Sequence, residues 1–183
     1  MSALTILSDE EQSYFDAIKD FAKKEITPHV AAMDEAQQVN KDIVKKLFDM
    51  GLMGIEVPQS LEGSEASFFT AILAVQAISQ VDPSVGVMVD VQNTLVNNAF
   101  MRWGSDALKK KYLPQLATGK VGSYCLSESS SGSDAFALKT KAVKKDGKYI
   151  LNGQKLWITN AGEADIWEQL PPDLIPVLAK NKD

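Results

Sequence analysis

The residues best able to do chemistry lie together in Tyr124-Cys125-Leu126-Ser127-Glu128-Ser129-Ser130-Ser131-Gly132-Ser133-Asp134-Ala135-Phe136-Ala137, where a short alternating run leads into four serines around one glycine. Hydroxyls and exposed backbone N–H groups in such a loop form a concave nest of donors. A nest of this kind suits a ligand rich in oxygen acceptors, such as a diphosphate or the pyrimidine edge of a flavin. A plain surface turn is the competing reading, because serine serves ordinary turns as well.

Other reactive side chains are scattered. Glu128 is expected to brace its own loop, and Glu163, further downstream, to be solvent exposed. His29 follows Pro28 at the end of a helical pattern, where it is expected to meet terminal carbonyls, and no Ser, Cys or Asp motif beside it supports a triad. Cys125, next to Leu126, reads as a small core residue. As the single cysteine it can form no intramolecular disulfide, cysteine zinc cluster or dithiol centre, and it suits a reducing compartment. No residue is assigned a catalytic role.

The elements that must position these residues divide the chain. Up to about Gly119 the apolar residues recur at helical spacing. Ser8-Asp9-Glu10-Glu11 predicts a capping box and a helix whose inward stripe is Tyr14, Phe15, Ile18, Phe21, Ala22 and Ile26, stopped at Pro28. Asn40 caps a second helix with Ile43, Val44, Leu47 and Phe48 inward, ended at Gly51. Residues 67–81 are apolar nearly all round, which predicts a central helix. Residues 85–103 and 105–116 complete a helical half, with Trp103 and Tyr112 as packing aromatics and Lys109, Lys110 and Lys111 as a solvated face.

After Gly119 the period changes to two. Residues 123–127, 138–144, 149–151 and 155–159 predict strands, and Asp146-Gly147 and Asn152-Gly153 predict hairpin turns. A small antiparallel sheet should therefore follow the bundle.

With 183 residues, 45% of them hydrophobic and 23% charged, the chain can bury one large domain or one plus part of a second. A net charge of −5 with mixed signs offers no basic stripe for nucleic acid. The longest nearly apolar run, residues 68–78, is short of the roughly 20 residues that span a bilayer. Residues 1–7 contain neither a basic n-region nor an Arg-rich presequence, so no targeting peptide is expected.

From Cys125 through Leu126, Ser127, Glu128, Gly132, Ser133 and Asp134 to Ala137, the serine-rich loop resembles the acyl-CoA dehydrogenase signature position by position. A second element that resembles the family, Asn152-Gly153-Gln154-Lys155-Leu156-Trp157-Ile158-Thr159-Asn160, lies at the matching distance downstream. Gly51-Leu52-Met53-Gly54-Ile55 and Tyr112-Leu113-Pro114-Gln115-Leu116 add to the likeness, which covers residues 8–166. Gln92-Asn93-Thr94-Leu95 and Ala137-Leu138-Lys139-Thr140-Lys141 are most similar to the short/branched-chain members.

The resemblance implies a mainly α fold: an amino-terminal all-α domain over 1–120, a partial β-domain with flavin-binding motifs over 121–166 and a divergent tail over 167–183. The family's carboxy-terminal helical domain is expected to be absent. The implied cofactor is FAD, lined by Tyr124, Cys125, Leu126, Ser127, Gly132 and Ser133 and by Trp157, Ile158 and Thr159. By physical chemistry a Ser127 hydroxyl can bond the polar edge of the isoalloxazine, the Trp157 indole can pack on the ring, and Thr159 can donate toward N5. Ser133 is the implied contact with the acyl-CoA substrate.

The implied reaction removes an α-proton and a β-hydride from a short or branched-chain acyl-CoA, the hydride going to flavin N5. The family's glutamate base is expected beyond this chain, so the chain should be a truncated form of such an enzyme. The implied partners are electron-transfer flavoprotein and, in the family, three further subunits of a homotetramer, in the mitochondrial matrix. The alternative expectation is a catalytically inactive helical fragment that associates with full-length subunits.

Overall fold

A computed structural model describes residues 6–169 and 177–179, with side chains described over 6–166. Helix α1 (Asp9–Phe21) begins at the predicted capping box: Glu11 N donates to Ser8 Oγ at 3.2 Å and Ser8 N donates to Glu11 Oε2 at 2.8 Å. Ile18, Ala22 and Ile26 are buried, and Tyr14, Phe15 and Phe21 pack half-buried on the same core. Burial pushes the Tyr14 hydroxyl up to about 12.

The helical path does not stop at Pro28. A π turn (Ala22–Ile26) passes into a 3-10 turn (Thr27–His29), and α2 (Val30–Ala36) continues to Gln37, whose left-handed backbone ends it. Pro28 occupies the start of the 3-10 turn, where a missing N–H leaves no interior bond unmade. His29 is exposed there.

Asn40 caps α3 (Lys41–Asp49) by accepting from Asp42 N at 2.8 Å, and Ile43, Val44 and Leu47 are buried. Lys46 bonds Glu25, tying α3 to the π turn. Gly51, at φ 70°, then turns the chain. The loop that follows runs through the interior: Leu52, Met53, Ile55 and Val57 are all buried.

Its polar backbone is satisfied by side chains from a distant helix. Asn93 Nδ2 donates to Leu52 O at 2.8 Å, Asn93 Oδ1 accepts from Ile55 N at 2.9 Å, and Asn97 Nδ2 donates to Met53 O at 2.8 Å. Buried main-chain groups need such partners, since each one left unmade costs about 1–3 kcal/mol.

Helix α4 (Phe68–Ser79), capped by Ser67, packs on α1 and α5, though Phe68 and Ile72 remain exposed on its outer side. Asp82 caps α5 (Pro83–Asp90) by accepting from Ser84 N at 2.7 Å and Val85 N at 3.1 Å. The predicted 85–103 run continues through a π segment (Val91–Asn97) into α6 (Asn98–Trp103). Ser105 caps α7 (Asp106–Thr118). Tyr112 packs on Phe100 with ring centres 5.5 Å apart, whereas Trp103 is more exposed than buried, contrary to expectation.

Beyond α7, β1 (Gly122–Cys125) pairs in parallel with β4 (Ile166–Gln169), and β4 pairs antiparallel with β5 (Val177–Ala179). The antiparallel hairpin expected around Asp146-Gly147 forms between β2 (Lys141–Lys145) and β3 (Lys148–Asn152), with Lys145 opposite Lys148 and both turn residues at positive φ. The Asn152-Gly153 hairpin turn does not form. Gly153 is required for another reason: a Cβ there would lie 2.1 Å from Thr140 Oγ1.

Residues 155–159 are not a strand, because the backbone at Trp157 takes φ 57° and leaves extended geometry. Ile166, the last residue before the expected divergent tail, begins a paired strand. The prolines of the expected tail, Pro171, Pro172 and Pro176, lie outside the described residues.

Leu47, fully buried in the α1–α3–α4 core, should be a main contributor to stability. Leu47→Ala is expected to cost roughly 2–5 kcal/mol in urea unfolding at neutral pH. The fully exposed Phe136, changed to Ala, should stay within about 0.5 kcal/mol of the parent.

Candidate functional site

Strand β1 carries Tyr124 and Cys125 out of the bundle and releases the chain into the serine-rich loop. That loop is a defined turn: Glu128 N donates to Ser131 O at 2.9 Å, Ser131 N donates to Glu128 O at 3.0 Å, and Ser131 Oγ donates to Asp134 O at 2.7 Å. Ser129 and Ser130 at its tip, and Gly132 and Ser133 after it, are exposed.

The segment 155–160 is stitched alongside. Leu156 N donates to Ser127 O at 2.9 Å, Ser123 Oγ donates to Thr159 O at 3.0 Å, and Asn160 Nδ2 donates to Gly122 O at 3.2 Å. Lys155 Nζ reaches under the loop to Leu126 O at 3.0 Å and to Glu128 Oε1 at 2.8 Å. The Lys155 and Glu128 side chains are only 7% and 4% exposed, so their ion pair is buried.

Glu128 Oε2 also accepts from Lys139 N at 2.6 Å and Oε1 from Thr140 N at 3.1 Å. Burial alone would raise this carboxyl from its ordinary 4.5, but the Lys155 ammonium, the nearby Thr140 hydroxyl and the two amides outweigh it and hold it at about 2. The Thr140 hydroxyl acts there as a neighbouring dipole, short of full hydrogen-bond geometry. One carboxylate thus gathers the serine loop, the approach to β2 and the 155–160 segment. A loop-bracing role was expected for Glu128; Lys155, its partner, was not singled out, since nothing in its local sequence marks a buried ammonium.

Trp157 is the exposed feature of this arrangement. Its backbone is left-handed, a conformation that costs a bulky residue about 1–3 kcal/mol and persists only where the surroundings over-determine it. Here the bonds at Lys155, Leu156 and Thr159 do so, and the indole stands 92% exposed. Asn160, also left-handed, tolerates that geometry better.

Of the expected ligand-lining residues, the fold brings Tyr124, Leu126 and Ser127, all half-buried, beside Trp157, Ile158 and Thr159. The Cys125 side chain is buried, so that residue could meet a ligand only through its backbone. Gly132 and Ser133 sit on the loop beyond the Glu128–Ser131 turn. Thr159 also borders an open cleft of about 440 Å³ with Pro83, Val87, Met88 and Glu163. Glu163 is half-buried in a turn there, not solvent exposed as its sequence context suggested.

The residues present fit a flavin. An unobstructed indole offers a ring-sized face, and the space where a Cβ at Gly132 would stand is open. Hydroxyls of Ser127 and Thr159 lie on the two stitched segments, where acceptors of a pyrimidine edge could be met. Among the described residues no helix is long and apolar enough to cross a membrane, and no group of three or more His, Cys, Asp or Glu is placed to hold a metal.

Residues 8–120 match the family model described as acyl-CoA dehydrogenase, N-terminal domain, and residues 123–180 match that for the middle domain. A probable short/branched chain specific acyl-CoA dehydrogenase of Dictyostelium discoideum is 50% identical over 90% of this chain and 40% of its own length. The mitochondrial short/branched chain specific enzyme of Rattus norvegicus is 43% identical over 90% of this chain and 38% of its own. A glutaryl-CoA dehydrogenase from Mycobacterium smegmatis, solved in complex with FADH2, superposes with a TM-score of 0.84 at 26% identity, over 88% of this chain and 42% of that one. The chain therefore spans about 40% of the length of the curated relatives it matches.

The depressed Glu128 carboxyl has a signed consequence for stability. Its contribution is fully present above about 4.5 and is lost as the pH falls through about 2. Acid titration of unfolding should therefore give a shallower loss between those values for Glu128→Gln than for the parent. At neutral pH, Lys155→Met should cost roughly 3–5 kcal/mol by stranding a buried carboxylate, and Glu128→Gln/Lys155→Met should be more stable than Lys155→Met alone. A double variant whose loss equals the sum of the losses of Glu128→Gln and Lys155→Met measured singly would show that the pair is not coupled.

Proposed function

The chain belongs to the acyl-CoA dehydrogenase family, whose members are oxidoreductases, and from that premise we propose that it holds FAD between the serine-rich loop and the 157–159 segment. The whole protein is then an FAD-dependent dehydrogenase of short or branched-chain acyl-CoA thioesters. The observation that carries this reading is the stitching of the two segments into one face, with the Trp157 indole standing clear of it.

In this reading Ser127 would hold the polar edge of the isoalloxazine, Trp157 would pack against the ring system, and Thr159 would donate toward N5. Tyr124, Leu126 and Ile158 supply apolar walls, Cys125 and Gly132 contribute backbone, and Ser133 meets both the cofactor and the acyl-CoA. FAD, when bound, supplies a hydride acceptor at N5. Donors aimed at a bound ring would favour its reduced, more electron-rich form.

Removal of the α-proton requires a carboxylate base facing the same ring. Glu128 does not fill that role, since Lys155 and two amides occupy it and hold it ionised inside the loop. We assign the base to none of the described carboxylates. Electron-transfer flavoprotein is the proposed acceptor of the electrons, and a homotetramer the proposed assembly of the whole protein. A mitochondrial matrix location is supported by the rat relative, while the mycobacterial structure belongs to a bacterial one.

The chain should retain flavin absorption bands after incubation with FAD and desalting. Trp157→Ala should weaken binding roughly 2–10-fold, the equivalent of ~0.5–1.5 kcal/mol of aromatic contact. A colourless parent protein would defeat the proposal that these two segments hold the cofactor by themselves. Bleaching of retained flavin by a branched short-chain acyl-CoA would place a competent base within this chain.

A further inference from the structure

Gln92 lies in the π segment (Val91–Asn97), fully buried, and every hydrogen bond of its side chain leaves its own helix. Its Nε2 donates to Leu116 O at 2.8 Å and to Lys120 O at 3.0 Å, and its Oε1 accepts from Gly122 N at 2.8 Å. The two carbonyls belong to the end of α7 and the link after it, where helix geometry supplies no partner. A single amide thus satisfies a helix C-terminus and the first N–H of β1.

Packing reinforces the same junction. A Cβ on Gly122 would lie 2.5 Å from Val96 Cγ1 and 3.1 Å from Leu116 Cδ2, so only glycine allows β1 this close to the π segment. The wide π turn points two neighbouring columns inward. Asn93 and Asn97 hold the 52–55 loop, while Gln92 and Val96 hold Gly122.

From Gly122 the connection runs on to the site. Gly122 O accepts from Asn160 Nδ2, and the next residue, Ser123, donates to Thr159 O. Gln92 therefore stands two hydrogen bonds away from the 157–160 segment.

We propose that Gln92 is a positioning residue: it sets the seat of β1 against the helical bundle, and through Gly122 it sets the flavin-lining face formed by Tyr124–Ser127 and Trp157–Thr159. The assignment of that face to flavin rests on the reading above; the mechanical link does not. A merely structural Gln92 would, when lost, lower global stability and leave the site as it was.

The test compares Gln92→Met, which keeps bulk and loses all three bonds, with Leu47→Ala, a core change on α3 that touches none of the three bonds, at denaturant concentrations giving equal residual stability. Hydrogen exchange is read at the Gly122, Leu156 and Ile166 amides and along α1, and FAD affinity by quenching of flavin fluorescence. The expected result for Gln92→Met is at least tenfold faster exchange at the three site amides, unchanged exchange in α1, and FAD binding weakened at least fivefold. Leu47→Ala should move neither the site amides nor the affinity.

If Gln92→Met behaves as Leu47→Ala does, the proposal is overturned. Should Gln92→Met fail to fold, Gln92→Asn, whose amide is one methylene too short to span Leu116 O, Lys120 O and Gly122 N together, is read in the same way. If the parent protein binds no FAD, the flavin reading fails by itself, and the exchange comparison alone decides the role of Gln92.

Discussion

A buried ammonium beneath a serine-rich loop is the constraint on which the rest of the site depends. Lys155 must neutralise Glu128 within the protein, because either charge left alone there would cost several kcal/mol. Meeting that demand fixes where the 155–160 segment runs. It cannot continue as the extended strand its alternation suggests, since the chain must turn to bring the Lys155 head under Leu126 and Glu128. The left-handed backbone at Trp157 follows within two residues, and with it the outward indole.

The helical half supplies the other boundary condition. Three buried amides in the π segment, from Gln92, Asn93 and Asn97, satisfy main-chain groups of an interior loop, a helix end and the first residue of β1. Buried loops are uncommon because their polar groups lack partners. Here those partners come from one helix, whose widened turn presents two columns inward. The loop face and the bundle are in this way parts of a single hydrogen-bonded framework rather than two units resting on each other.

Much of this was legible beforehand. The helix starts at Ser8 and Asn40 announced themselves because capping is local: a hydroxyl or amide oxygen satisfies an N–H two or three residues away. The Asp146-Gly147 hairpin was legible for the same reason. Misreadings arose where one residue type serves several geometries. Pro28 marks the start of a 3-10 turn as readily as the end of a helix, and Gly153 answers to the proximity of Thr140 rather than to a turn. Glu163 looked exposed because the surface closing over it, from α5 and the turn after Thr159, is remote in sequence.

The sequence by itself determined the helical half with its caps and inward stripes, the Asp146-Gly147 hairpin, and the family to which the serine-rich loop and the Asn152–Asn160 element belong. These follow from short-range periodicity and side-chain reach, which need only neighbouring residues. Tertiary structure alone decided that Lys155 is buried, that Trp157 is turned outward and that Gln92 grips Gly122. Each of these depends on burying a polar group against a partner 27 or more residues away, or on the strain such a partner imposes, and no local pattern encodes that pairing.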